Sequence, residues 1–322
     1  MMRFVLSLAV FVVLTEARSM ERAQLLASRG GALAKECLLI VDQDGAPVAG
    51  ARIWGGMKCG DGYDDFVQIS DVSDTNGLCV VRGVCTDMIR CEVTKRGYYP
   101  SEFALLDYCY THSMSNGMWH PYGQERKVVL KQIKNPDRLC PFSEKLQDMK
   151  IPVFGEWIGF DFERQDWTTP YGKGVFRDVL LRFTAEVKSL KEFRYVMDVS
   201  FTNNPFAGAY VLKMDKTSVL MTEYFARTNV QYEASFRFVN ERTQGGQRHT
   251  NFIDNGSYLV FRTRTRIDDD GNLTGAHYGK IIGRWISGVE NMLLSDGCFN
   301  PKENDINLED SRTLRNVIRN MK

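Results

Sequence analysis

The sequence predicts an all-β protein built from two β-sandwich domains. Three observations predict it. Short apolar runs alternate with polar residues and are punctuated by Gly, Asp, Asn and Pro. No sustained 3.6-residue period occurs before the C-terminal tail. The 322 residues are enough for two ordinary domains. An apolar content of 43% and a charged content of 25% are those of a globular chain. The formal net charge of +1 gives no reason to expect a nucleic-acid partner.

Residues 1–19 read as an export signal. Arg3 precedes an apolar core at 4–14, and a polar shift follows with small residues Ala17 and Ser19 near a cleavage point. That core is shorter than the roughly 20 residues a membrane span needs, and no later segment is as apolar. The expected location is therefore secreted or periplasmic, with no transmembrane segment in the mature chain. The chain's eight cysteines are Cys37, Cys59, Cys79, Cys85, Cys91, Cys109, Cys140 and Cys298. In an oxidising compartment an even count suggests disulfides, at least one of them among the seven cysteines of 37–140. No C-x-x-C pair is present, so zinc is not expected; buried free thiols remain the alternative for Cys79 and Cys91.

The first domain is expected over 36–135. "CLLIVDQ" opens it as a strand, "DGAPVAGARIW" turns into a second, and "DTNGLCVVRGV" places an Asn-Gly turn before a third. "IRCEVTKRGYYP" alternates and stops at Gly97 and Pro100, and "ERKVVLKQI" is a last strand. Asp42 and Asp44 read as turn residues whose side chains cap backbone amides, with calcium ligation as the lesser alternative. Residues 136–152 read as a linker. A β-rich sandwich is expected over 153–300, from strand-like runs such as "DVLLRFTAEV", "FRYVMDVSF" and "SYLVFRTRTRI". A tail follows at 301–322, with a short helix expected within 306–320.

The phrases "DQDGAPVAGARI", "DTNG" and "KRGY" resemble the carboxypeptidase regulatory-like, or transthyretin-like, domain over about 36–132. The resemblance implies a transthyretin-like antiparallel sandwich, followed here by a jelly-roll-like β-sandwich. In such families the module is a non-catalytic appendage. The pieces "IGFDFERQDWTTPYGKG", "YGKIIGRW" and "CFNPKENDINLED" resemble an uncharacterised family of exported bacterial proteins with a β-rich C-terminal domain. That family carries over no catalytic residues. An attached zinc carboxypeptidase is not expected, because His112, His120, His249 and His277 stand in no ligand-spaced motif. A G-x-S-x-G elbow and a phosphate-binding loop are also missing from the sequence.

Three stretches invite a site. In the first, Asp161 and Glu163 would share one strand face, about 6.6 Å apart, with Asp166, Trp167 and Tyr171 nearby. Paired carboxylates about 5–10 Å apart beside aromatic platforms are the parts of a sugar site; a solvated strand face is the plain alternative. In the second, strict alternation puts Arg262, Arg264 and Arg266 on one face, a stripe suited to carboxylate, sulfate or phosphate, or else a set of cross-strand ion pairs. In the third, Asp268, Asp270 and Asn272 have calcium-loop spacing, but Gly279 stands where the distant Glu ligand would fall, which favours a hairpin turn. The expectation is a non-catalytic binding or scaffolding protein of the cell envelope, without cofactor or metal. Its expected partner is an envelope polysaccharide or another envelope protein. The alternatives are a polysaccharide hydrolase or lyase using 161–171 and a structural assembly component.

Overall fold

The computed structural model describes residues 22–62, 64–201, 205–251, 253, 256–288 and 290–313. The expected export signal and the end of the expected terminal helix lie outside them. The chain forms two compact units, one running to Ile133 with Thr217–Val219 added and one comprising Lys134–Lys216 and Leu220–Lys322. Both are β-sandwiches, so the all-β class holds. No described helix is long and apolar enough to cross a membrane.

In the first unit the helix α1 (22–30) leads into β1 (Ala32–Asp42), β2 (Arg52–Lys58), β3 (Phe66–Val72), β4 (Leu78–Cys85), β5 (Ile89–Thr94), β6 (Tyr98–Tyr99) and β7 (Ser101–Leu105). The short helix α2 (Tyr108–Thr111) follows, then β8 (Ser113–Ser115), β9 (Met118–His120) and β10 (Gln124–Gln132). One sheet has β1 at its centre, antiparallel to β4 and parallel to β10. The other is ordered β3-β2-β5-β7. Alternate residues of β1 point inward, and Ala34, Leu38 and Ile40 meet Ile53, Met57, Val81 and Val93 in the core. Glu36 occupies the same inward register and is fully buried. Its carboxylate accepts from the Tyr108 hydroxyl at 2.9 Å and Arg126 Nε at 3.1 Å, which removes most of the cost of burying a charge.

The turn phrases do the work expected of them. Asp42 Oδ1 accepts the amides of Asp44 and Ala46, each at 2.9 Å, and Gly45 takes φ +87°. Asp74 Oδ1 likewise accepts from Asn76 and Leu78 at 2.8 Å, and Gly77 takes φ +75°. A side chain that satisfies two turn amides leaves the following strand free to pair in register.

All eight cysteines are free thiols in the structure. The bridge expected within the first domain is not formed. Cys79 and Cys91 face inward on β4 and β5, Cys85 ends β4, and all three pack as small apolar groups in the core. Burial first of all pushes the thiols of Cys79, Cys85 and Cys91 up to about 12, so they are held as unreactive SH groups.

The second unit contains β11 (Cys140–Pro141), β12 (Met149–Lys150), β13 (Trp157–Asp161), β14 (Asp166–Trp167), β15 (Val179–Ser189) and β16 (Glu192–Ser200). It continues through β17 (Gly208–Lys213), β18 (Ser235–Arg242), β19 (Arg248–Thr250), β20 (Ser257–Ile267), β21 (Leu273–Ser287) and β22 (Asn291–Phe299). One sheet is ordered β14-β13-β15-β16-β18-β19; the other is β11-β22-β21-β20-β17 with β12 on β22. Phe160, Phe183, Met197 and Phe238 of the first pack against Leu259, Phe261, Ile281 and Trp285 of the second. Residues 136–152, read from sequence as a linker, supply Phe142, Leu146 and Ile151 to this core. The 301–313 segment is also built in: Leu308 is buried, and Glu309 accepts the amides of Lys134 and Asn135 at 3.0 and 2.6 Å.

Two turn substitutions test this account. Asp74→Ala should destabilise the first unit by about 1–3 kcal/mol, since two amides lose a charged acceptor. Gly77→Ala should cost more, because a Cβ there would lie 2.3 Å from the Ile40 carbonyl oxygen at a left-handed φ. Urea unfolding checks both, and unchanged midpoints would show that the turn does not set the β4 register.

Candidate functional site

The acidic-aromatic stretch is a fastening around the buried Asp161 and Trp167, with Glu163 and Tyr171 left at the surface. Strand β13 stops at Asp161 and the chain turns at once, so the expected alternation fails there. Phe160 and Phe162 both enter the core, and Phe162 stacks on Phe261 with ring centroids 4.3 Å apart. Asp161 is fully buried. Its Oδ1 accepts from the amides of Glu163 and Arg164 at 3.0 Å, and its Oδ2 from Val175 at 2.8 Å and Phe176 at 3.0 Å. Asp166 is held the same way by the amides of Trp167 and Lys173 at 2.8 and 2.9 Å. Trp167 is a core residue whose Nε1 donates to the Lys150 carbonyl at 3.0 Å. Tyr171 is exposed and donates to Glu156 at 3.3 Å. A fully buried carboxylate that accepts four amides is committed to the fold and presents no open side to a substrate.

The three arginines occupy three separate environments. The β20–β21 register shifts between Thr263 and Arg266, and Arg264 takes φ +49°. This bulge breaks the single-face row that strict alternation predicts. Arg262 is buried, donating from Nε to the Phe206 carbonyl at 2.5 Å and lying 3.9 Å from the Tyr232 ring centroid. Arg266 pairs with Glu303 at the surface. Arg264 turns into the unit. It donates to Asp178 at 2.8 and 3.0 Å, Glu163 at 2.6 Å and Asp161 at 3.2 Å, and its guanidinium lies 3.9 Å from Phe176 and 4.5 Å from Phe299. Thus Asp161, Glu163 and Arg264, singled out separately in the sequence, do meet, and the arginine is bound by its own protein's carboxylates. Burial pushes the Asp178 carboxyl up, against the pull of Arg264 and of the Phe162 amide. Asp268 serves its hairpin turn, accepting the Asn272 amide at 2.7 Å.

A different group of residues faces outward. On the solvent side of the β13–β15–β16–β18 sheet lies a recess of about 180 Å³ lined by Gly155, Arg182, Thr184, Arg194, Val196, Asp198 and Arg237. Cross-strand register builds it. Arg182, Asp198 and Arg237 stand in one row across three strands, and Thr184 and Val196 in the next. Arg194 stands beyond, beside Glu241. Long side chains at both ends and short ones between them leave the hollow. Arg182 donates to Asp198 from Nε and Nη2 at 3.2 and 2.9 Å; Arg237 does so at 2.6 and 3.2 Å. First Arg237 and then Arg182 hold the Asp198 carboxyl below the usual carboxylate range, although burial opposes them. Arg194 donates to Glu241 at 3.2 Å. Trp157 is 44% exposed at the margin, with the Arg182 guanidinium 4.8 Å from its ring centroid. None of these residues stands out in the sequence as a site residue. Their alternation on β15 and β16 is legible, but which residues stand opposite one another is a property of strand pairing.

No protein-family model matches this chain, and no curated protein does. Among solved structures it is similar to a 3-chlorocatechol 1,2-dioxygenase from Rhodococcus opacus 1CP at 13% identity, over 33% of this chain, with a TM-score of 0.25. The match spans 62% of the dioxygenase's length. A DUF3823 family protein from Parabacteroides merdae ATCC 43184 is 8% identical over 84% of this chain and 99% of its own, with a TM-score of 0.19. BcpA, the major pilin subunit of Bacillus cereus, is 13% identical over 84% of this chain and 96% of its own, with a TM-score of 0.20. At these scores the likenesses carry no argument about function.

Two predictions follow from the charge clusters. Arg264→Ala should destabilise the second unit by about 3–5 kcal/mol, because it strands buried carboxylates without their cation; denaturant unfolding measures this. Asp198 has a folded pKa below its unfolded value of about 3.9. Its contribution is therefore present above that value and lost as pH falls through the lower folded one. The melting-temperature gap between wild type and Asp198→Asn should be constant near neutrality and close below about pH 4. A gap that stays open in acid would show that the Asp198 charge is not what stabilises the row.

Proposed function

We propose that this is an exported, non-catalytic binding protein of the cell envelope that holds a polysaccharide on the outer face of the second unit's β13–β15–β16–β18 sheet. The observation that carries the reading is the exposed indole of Trp157 at the margin of an arginine-lined recess, on a rigid sheet. An aromatic face takes a sugar ring by apolar contact, and nearby fixed donors set its orientation. We assign the first unit the carboxypeptidase regulatory-like class on its turn phrases, with a spacing or docking role. A hydrolase or lyase using 161–171 is the less favoured reading, because Asp161 is buried and saturated with amide donors.

The test is a panel of soluble envelope-type polysaccharides and their oligosaccharides, measured by calorimetry on the mature protein with product analysis alongside. At least one glycan should be retained without release of reducing or unsaturated ends. Trp157→Ala should weaken that retention about tenfold, as expected for losing a stacking contact of about 1.4 kcal/mol. Product release that disappears in Glu163→Gln would overturn the non-catalytic reading in favour of catalysis. Absence of any glycan binding, with a regular oligomer in solution, would favour a structural assembly component.

A further inference from the structure

Resting on the glycan-binding reading above, we propose that the recess on the second unit is an acid-sugar subsite, in which Arg237, held in place by Asp198, receives the carboxylate of a uronate residue and Arg194 lines the opposite end. Three features of the recess support this.

Charge comes first. The lining carries three guanidiniums and one carboxylate. Asp198 is shared between Arg182 and Arg237, and Glu241 answers Arg194 from outside the lining. Arg182 and Arg237 thus share one carboxylate, and an anionic ligand at this end of the recess would answer the second cation. Each guanidinium carries five N–H groups. Arg182 and Arg237 each commit two hydrogen bonds to Asp198, and Arg194 commits one to Glu241. Donors therefore remain on all three, and a planar donor fork matches a carboxylate.

Shape comes second. Arg194 and Asp198 are four positions apart on β16, about 13 Å at 3.3 Å per residue, and the row spans three strands at about 4.8 Å spacing. Val196 and Thr184 form the short floor between the two charged ends. A hollow of about 180 Å³ is below the roughly 300–1,000 Å³ of pockets that enclose a whole small molecule, which suits one residue of a chain lying across the face. An apolar floor, one hydroxyl, a neighbouring indole and a cationic end suit a ring bearing a single carboxylate. A continuous polyphosphate would instead meet Glu186 and Glu241, which stand in register on either side of Arg194.

Preorganisation comes third. Arg182 is fixed between Trp157 and Asp198, and Arg237 forks onto the same carboxylate. Much of the side-chain entropy that a ligand would otherwise have to remove is already lost. Arg194 is the looser donor, with a single contact and a side chain 45% exposed.

The experiment compares one backbone with and without its charge. Calorimetry would measure binding of polygalacturonate, of its methyl ester and of dextran sulfate to the whole mature protein, at 50 and 500 mM salt. Tighter binding of the acid form, about tenfold over the ester, supports the subsite. Arg237→Gln should remove most of that difference, bringing acid binding down toward that of the ester, and Arg194→Gln should remove less of it. Trp157→Ala should weaken both forms alike, which separates the glycan face from the acid subsite. Both arginines are exposed enough for the variants to fold, and melting curves check this. Equal binding of acid and ester would overturn the subsite and leave the glycan face standing. Binding of dextran sulfate above polygalacturonate, with no effect of Trp157→Ala, would overturn the subsite in favour of general anion exchange. Binding of none of the three, where another glycan from the panel binds, would overturn the uronate assignment alone.

Discussion

The guanidinium of Arg264 is the fastening on which the second unit depends. One cation faces three carboxylates, Asp161, Glu163 and Asp178, so ion pairing alone would leave an excess of negative charge inside the protein. Backbone amides make up the difference. Phe162, Glu163, Arg164, Val175 and Phe176 all direct N–H groups at Asp161 or Asp178. Charges this deep are tolerated only when every lone pair finds a donor, and that requirement dictates how the chain travels from 161 to 178. The loop curls because its amides are needed at two carboxylates. Arg264 arrives from β20 in one sheet, while Asp161 and Asp178 sit at the ends of β13 and β15 in the other. The cluster therefore sets how the two sheets of this unit are joined.

That join fixes the outer face as well. Trp157 lies on β13 and Arg182 on β15, the two strands whose ends the Arg264 cluster holds. Core residues Ile158, Leu181 and Phe183 alternate with them and anchor the inner side. A binding residue on a strand inherits the rigidity of the residues on either side of it. The proposed function thus draws on the acidic stretch singled out in the sequence, but indirectly: the stretch holds the strands, and the strands present the ligand groups.

What could be read from the sequence was local. The Asp-x-Asp-Gly and Asp-Thr-Asn-Gly phrases gave the turns because their hydrogen bonds run within five residues. Alternation gave the class and most strands. It failed at Asp161, where a turn follows the strand without any Gly or Pro to announce it. It failed again at Arg264, where "RTRTR" alternates strictly in sequence yet a bulge opens opposite Ala276. Part of the reason lies across the sheet: Arg266 passes over Gly275, where any Cβ would stand 2.7 Å from its Nε. A bulge set by the partner strand leaves no mark on the strand that carries it. The recess was hidden for the same reason, since Arg182, Asp198 and Arg237 become one row only after three strands pair.

The two arginine clusters of the second unit show how similar chemistry gives opposite outcomes. Arg264 makes four hydrogen bonds to carboxylates, lies close to two aromatic rings and is nearly buried, so its binding capacity is spent inside the protein. Arg237 makes two to a single carboxylate and keeps most of its surface in water. Asp198, with two cations around one anion, holds them in place without using up their donors. The difference is one of stoichiometry: excess carboxylate around a buried arginine builds a fold, whereas excess arginine around a single carboxylate at the sheet surface leaves guanidinium donors facing solvent. Mutual repulsion between Arg182 and Arg237 would scatter them if Asp198 were neutral, so the site's cationic character rests on an acid that stays ionised. The carboxylate's lowered pKa is thus a condition of the arginine face as well as a result of it.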